Sequence, residues 1–120
     1  MKESFKDLAF DHMEKRLETL RPLHDEMPPH QGWIKTLRQV LNMTVTQLAV
    51  RMGIAQSAVT RLEQREQEGA VTLKTLQMVA EALGGKLVYG IVFPESLTDL
   101  KNKQAKKKAK KILKDLTHTM

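Results

Sequence analysis

A chain of 120 residues with 41% apolar side chains has material for one modest core. It contains no cysteine, which excludes disulfides and thiolate metal sites and fits a reducing compartment. The net charge is +6, yet residues 101–114 hold eight lysines and no acid, leaving the remainder of the chain at −2. A polyanion is the natural partner of such a distribution.

No apolar run approaches the roughly 20 residues that span a bilayer. The first eighteen residues carry acids throughout and lack the apolar stretch of a signal peptide, so a cytoplasmic protein without membrane contact is expected. Aromatics are only 4%, so aliphatic side chains and seven methionines must fill the interior.

In chain order, Phe5, Leu8, Ala9, Met13, Leu17 and Leu20 recur at spacings of three and four, which predicts an amphipathic helix over residues 4–21. Ser4 with Asp7 three residues on can cap it. Residues 22–32, with Pro28 and Pro29 adjacent, read as a connector. Trp33, Ile34, Leu37, Val40 and Leu41 then resume the helical period, with Trp33 expected in the core. Thr44 and Gln47 have the spacing of a capping box for the next helix, which buries Leu48, Ala49 and Met52. Gly53 supplies a residue that enters the left-handed region at little cost. Ile54 plugs the turn, and a helix from about Gln56 to Gln64 buries Ala58, Val59 and Leu62. After a polar loop, Thr72 caps a helix with Leu76, Val79, Ala80 and Leu83 inward, ended by Gly84 and Gly85.

Residues 43–63 therefore have the layout of a helix-turn-helix, whose second helix enters the major groove of DNA. On that helix Gln56, Ser57, Thr60 and Arg61 face outward. Glutamine suits adenine edges and arginine suits guanine, while serine and threonine suit several groups. Thr44, Gln47, Arg65 and Lys74 are placed for the phosphate backbone. Arg38 and Glu63 face the junction between helices and are expected to form a structural ion pair.

The run KLVYGIVF, residues 86–93, is apolar, β-branched and aromatic, and is bounded by Gly85 and Pro94. It predicts a strand. It either tucks against its own domain or pairs with a second copy through Leu87, Val88, Tyr89, Ile91, Val92 and Phe93. The second is the more economical, because no other segment reads as a strand. Ser96 with Asp99 can cap a last helix through Leu116, with a thin apolar stripe. Its lysines either solubilise the chain or touch phosphate.

The expected fold is mainly α. It comprises an N-terminal helix and connector (1–32), a helix-turn-helix domain (33–84), and a strand with a basic helix (85–120). The four histidines, His12, His24, His30 and His118, show no ligand spacing. No catalytic grouping or phosphate-cradling loop stands out. No enzyme, metal, cofactor or small-molecule substrate is expected.

The stretch LRQVLNMTVTQLAVRMGIAQSAVTRLE resembles the Cro/C1-type (XRE, lambda-repressor-like) helix-turn-helix family at Arg38, Thr44, Leu48, Ala49, Gly53, Val59 and Glu63. TLKTLQMVAEALG is similar to that family's following helix. The resemblance implies base contact by Gln56, Ser57, Thr60 and Arg61 and a structural pair of Arg38 with Glu63. Val45 departs from the family, which commonly carries a backbone-touching glutamine there. LRPLH, PPHQGWIKTLRQVLNMT and LVYGIVFPESL resemble the narrower group called mobile mystery protein A. While the lone strand implies that the chain acts as a homodimer, that resemblance implies a repressor of its own operon, encoded beside a Fic-domain protein in an antitoxin-like arrangement. It leaves a second function class open, direct neutralisation of the Fic-type partner.

Overall fold

The computed structural model describes residues 4–118. The order of elements is α1 (Phe5–Leu20), a single 3₁₀ turn (Arg21–Leu23), α2 (Trp33–Val40), α3 (Val45–Met52), α4 (Gln56–Gln67), α5 (Leu73–Ala82) and α6 (Leu97–His118). The chain divides into two compact units: Met27–Tyr89, and Met1–Glu26 with Gly90–Met120.

The unit Met27–Tyr89 holds α2 to α5 around one core. Ile34, Leu48 and Val59 are fully buried, joined by Met43, Ala49 and Val79. Burying each large aliphatic side chain stabilises the fold by about 1.5–3 kcal/mol. Met52, Ile54, Leu62, Leu76 and Leu83 close the rim of this core. The boundaries have local causes. Asn42 sits at φ 55° and ends the α2 segment, with the Met43 N–H returning to the Arg38 carbonyl at 2.9 Å. Thr44 then starts α3 through a reciprocal capping box: its hydroxyl accepts the Gln47 N–H at 3.1 Å, and Gln47 Oε1 accepts the Thr44 N–H at 2.8 Å. Thr72 caps α5 by accepting the Thr75 N–H at 3.1 Å.

Gly53 closes α3 at φ 69°, ψ 33°. A Cβ there would meet nothing within 4 Å, so backbone conformation, not crowding, selects glycine. The turn is held by the Ile54 N–H on the Ala49 carbonyl at 3.0 Å.

The other unit pairs α1 with α6. Ser4 and Asp7 form a capping box at the start of α1. Glu14 accepts the Leu97 N–H at 2.5 Å and the Thr98 hydroxyl at 2.9 Å, capping α6 from outside. Ser96 accepts the Asp99 N–H at 3.1 Å. Lys101 lies 5.3 Å from the centre of the Phe10 ring. No side chain among the described residues of this unit is buried.

Two expectations need correction. Among the described residues there is no strand: Leu87, Val88, Tyr89, Ile91, Val92 and Phe93 run without a ladder. An apolar β-branched run becomes a strand only when a second extended segment takes its backbone groups, and this chain supplies none among the described residues. Leu87 and Val88 instead line an apolar hollow with Trp33, Leu37 and Leu83, although Val88, like Tyr89 and Ile91, remains largely exposed. Trp33 is half exposed, because its position at the first residue of α2 turns the indole out of the core that Ile34 fills. Within α2 the apolar period divides: Ile34 is buried, whereas Val40, and Leu41 just past the helix, are exposed.

Candidate nucleic-acid interface

Helix α4 presents two sides. Val59 and Glu63 are buried, with Ala58, Leu62 and Glu66 half-buried beside them. The 100° step per residue places Gln56, Ser57, Thr60 and Arg61 together on the remaining side, and all four are exposed. The Thr60 hydroxyl donates back to the Gln56 carbonyl at 3.4 Å, which ties it to the helix between Gln56 and Gln64. Gln64 falls at the middle of the same exposed arc and is itself exposed. The outward set read from the sequence ends at Arg61, although the periodicity that selects Thr60 extends to Gln64. No side chain caps the start of α4.

The surrounding polar residues divide by role. Arg61 and Arg65, one turn apart, line a shallow hollow of about 240 Å³ between α4 and α5 with Met52 and Met78. Lys74 is exposed near the start of α5. Thr44 and Gln47 are exposed, but their side chains are already engaged with each other's backbone N–H. Gln47 keeps only its amide NH₂ as a donor toward a phosphate, and Val45 offers none. Arg51 on α3 donates to the Ala82 carbonyl at 3.3 Å, which ties α3 to the end of α5.

Two acidic residues on the buried side of α4 hold it in place. Arg38 Nε donates to Glu63 Oε1 at 2.6 Å and Nη2 to Oε2 at 3.4 Å, both residues being buried. Arg38 Nη1 also donates to the Met43 carbonyl at 3.0 Å, so one guanidinium fixes α4, α2 and the connection into α3. Its planar fork suits this, as a lysine could not serve three acceptors in one plane. One turn further, Glu66 accepts the Trp33 N–H at 2.7 Å and the Ile34 N–H at 2.8 Å. Helix α2 has no side-chain cap of its own; Glu66 satisfies its first amides and meets the positive end of its dipole. A Cβ on Gly32 would lie 2.8 Å from Glu66 Oε1, and the φ of 87° there also favours glycine. Nothing local announces this contact in the sequence, because the partners stand more than thirty residues apart.

Among the described residues no group of three or more His, Asp or Glu could hold a metal ion. No helix among them is long and apolar enough to cross a membrane.

Four helices around this core, with a glycine-bounded turn before an exposed polar helix, define a helix-turn-helix domain. The helix-turn-helix family profile matches residues 34–89. Two curated relatives, each named RNA polymerase sigma factor SigF, are from Mycobacterium tuberculosis strains CDC 1551 / Oshkosh and ATCC 25618 / H37Rv. Each is 43% identical over 56 residues, which is 47% of this chain and 21% of the sigma factor. The matched segment thus spans about a fifth of the relatives' length. No solved structure matches the chain.

Proposed function

We propose that this chain is a sequence-specific DNA-binding transcriptional regulator that inserts α4 into the major groove of duplex DNA. One observation carries the reading. Gln56, Ser57, Thr60 and Arg61 share one exposed face of a helix whose other side is fixed by Val59 in the core and by the Arg38–Glu63 pair. A reader of base edges needs both: donors and acceptors in the groove, and a helix that does not rotate under load. The helix-turn-helix match over residues 34–89 supports it, as does likeness over 56 residues to proteins named as sigma factors.

Arg61 takes guanine and Gln56 adenine, with Ser57 and Thr60 between them. Arg65, Lys74, Thr44 and the Gln47 amide meet phosphate. One such helix reads few base pairs, so specificity requires two copies on an inverted repeat with half-sites about 34 Å apart. The finer reading, a cytoplasmic repressor of its own operon paired with a Fic-domain partner, rests on the resemblance of PPHQGWIKTLRQVLNMT and LVYGIVFPESL to the mobile mystery protein A group.

The test is selection of bound sequences from random duplex DNA by the full chain. An inverted repeat is expected. Recovery of unenriched sequence, with binding that depends only on salt, sinks the proposal.

A further inference from the structure

Helix α6 runs antiparallel to α1. Glu14 meets Leu97 and Thr98, whereas Phe10 meets Lys101, so four residues forward on α6 are four backward on α1. Extending that register brings Ala105 level with Lys6. From about residue 107 onward α6 passes the first described turn of α1. Roughly the last twelve described residues of α6, about 18 Å of helix, therefore extend beyond it.

That segment carries concentrated charge. Before it, Lys103 pairs with Glu95 Oε2 at 2.7 Å, which holds its pKa above the ordinary lysine value through a hydrogen bond and then through charge. From residue 106 the sequence offers one carboxylate, Asp115, to six lysines. The helical step gathers Lys107, Lys110, Lys111 and Lys114 on one face about 100° wide, with Ala105, Ala109, Ile112 and Leu113 on the opposite side. The pairs Lys107–Lys111 and Lys110–Lys114 stand four residues apart, a spacing at which like charges oppose the helix. A polyanion along this face removes that cost.

We propose that this lysine face is a phosphate-binding arm and that its occupant is the backbone of duplex DNA; the proposal rests on the DNA-binding reading above. The four lysines span about 10 Å of helix, over which one strand of a duplex presents about three phosphates. The spacing and the sign both match. An anionic bilayer fits less well, because the opposite side, Leu116 included, has two alanines, one isoleucine, two leucines and no aromatic residue to enter the headgroup layer. A lysine meets phosphate as a point charge, so the arm adds affinity without selectivity.

Binding of the full chain to a random-sequence duplex, followed across salt concentrations, tests the arm. The variant Lys107→Gln/Lys110→Gln/Lys111→Gln should flatten the slope of log K against log salt by about 2–3, near 0.9 for each phosphate no longer neutralised. An equal charge loss on α1, Lys6→Gln/Lys15→Gln/Arg16→Gln, should leave the slope unchanged. The preference for a selected repeat over random duplex should be the same in both variants. Equal slopes for the two variants overturn the arm, and if the wild-type chain still selects an inverted repeat, the DNA-binding reading survives. Failure of the wild-type chain to bind any duplex overturns both. Vesicles of 30% phosphatidylglycerol in phosphatidylcholine serve as the competing ligand. Loss of vesicle binding in the α6 variant, with duplex binding intact, also overturns the proposal.

Discussion

Glu66, at the last turn of α4, accepts the backbone N–H of Ile34 at 2.8 Å, and Ile34 is the most deeply buried residue of α2. One carboxylate thus links the exposed polar helix to the core at the residue where α2 enters it. Its second oxygen takes the Trp33 N–H, so the first two amides of α2 are served by a helix distant in sequence.

Replacing Glu66 with Ala should destabilise the unit Met27–Tyr89 by about 1–3 kcal/mol, since two amides lose a charged acceptor at the positive end of a helix dipole. Glu66→Gln keeps an acceptor oxygen but loses the charge, and should fall between the two. Urea unfolding followed by helix content measures both. A loss for Gln equal to that for Ala would mean that a single neutral acceptor contributes nothing, and that α2 is held only by a carboxylate serving both amides.

The Arg38–Glu63 pair makes a sharper prediction. Replacing Arg38 with Met leaves a buried carboxylate without its partner and should cost about 3–5 kcal/mol. Arg38 also serves the Met43 carbonyl, so the double change Arg38→Met/Glu63→Met recovers part of that loss but not all of it. A double-mutant cycle in the same unfolding experiment gives the coupling. Additive losses would show that the two side chains act independently.

Much of the fold was legible because its signals are local. Ser4, Thr44, Thr72 and Ser96 each accept an amide three residues on, and a short polar side chain followed by three residues is visible in any sequence. Gly53 was legible for the same reason, as a left-handed residue between two helical periods. What escaped depends on distance along the chain. Glu66 reads as a solvated acid until α2 is brought to it. Trp33 reads as core because bulk and apolarity say so, while its place on the first turn of α2 is tertiary information. The run at residues 86–93 has every local mark of a strand, yet a ladder needs a second segment, which no local mark provides. Of the candidate interface, the four outward residues of α4 followed from the 3.6 period alone. The engagement of Gln47 did not, because its commitment to Thr44 is a side-chain geometry.

Gly53 tests whether conformation or space governs the turn. Its surroundings are open, so Gly53→Ala meets no neighbour and should cost only the strain of a left-handed alanine, about 1–2 kcal/mol. Gly53→Asn should cost less, because asparagine tolerates this region better. Thermal unfolding distinguishes them at roughly 4–8 °C per kcal/mol for a unit of this size. Equal losses for Ala and Asn would point instead to crowding at the turn.

Arg61 and Gln64 are separable at the proposed interface. Arg61 lies beside α5 with Arg65, and Gln64 lies at the centre of the exposed arc between Thr60 and Ser57. If α4 reads base edges, each of Arg61→Ala and Gln64→Ala should lose about 1–3 kcal/mol of discrimination at a single position in each half-site. The positions should differ between the two variants, since Gln64 sits about 4–5 Å further along the helix axis than Arg61. Folding should be unaffected, because both side chains are exposed. Repeating the random-duplex selection with each variant reads this directly, as relaxed preference at one base pair with the rest of the repeat intact. Uniform weakening across all positions would reassign the residue to phosphate. An unchanged repeat for Gln64→Ala, alongside a relaxed one for Arg61→Ala, would place the reading edge of α4 on its α5 side.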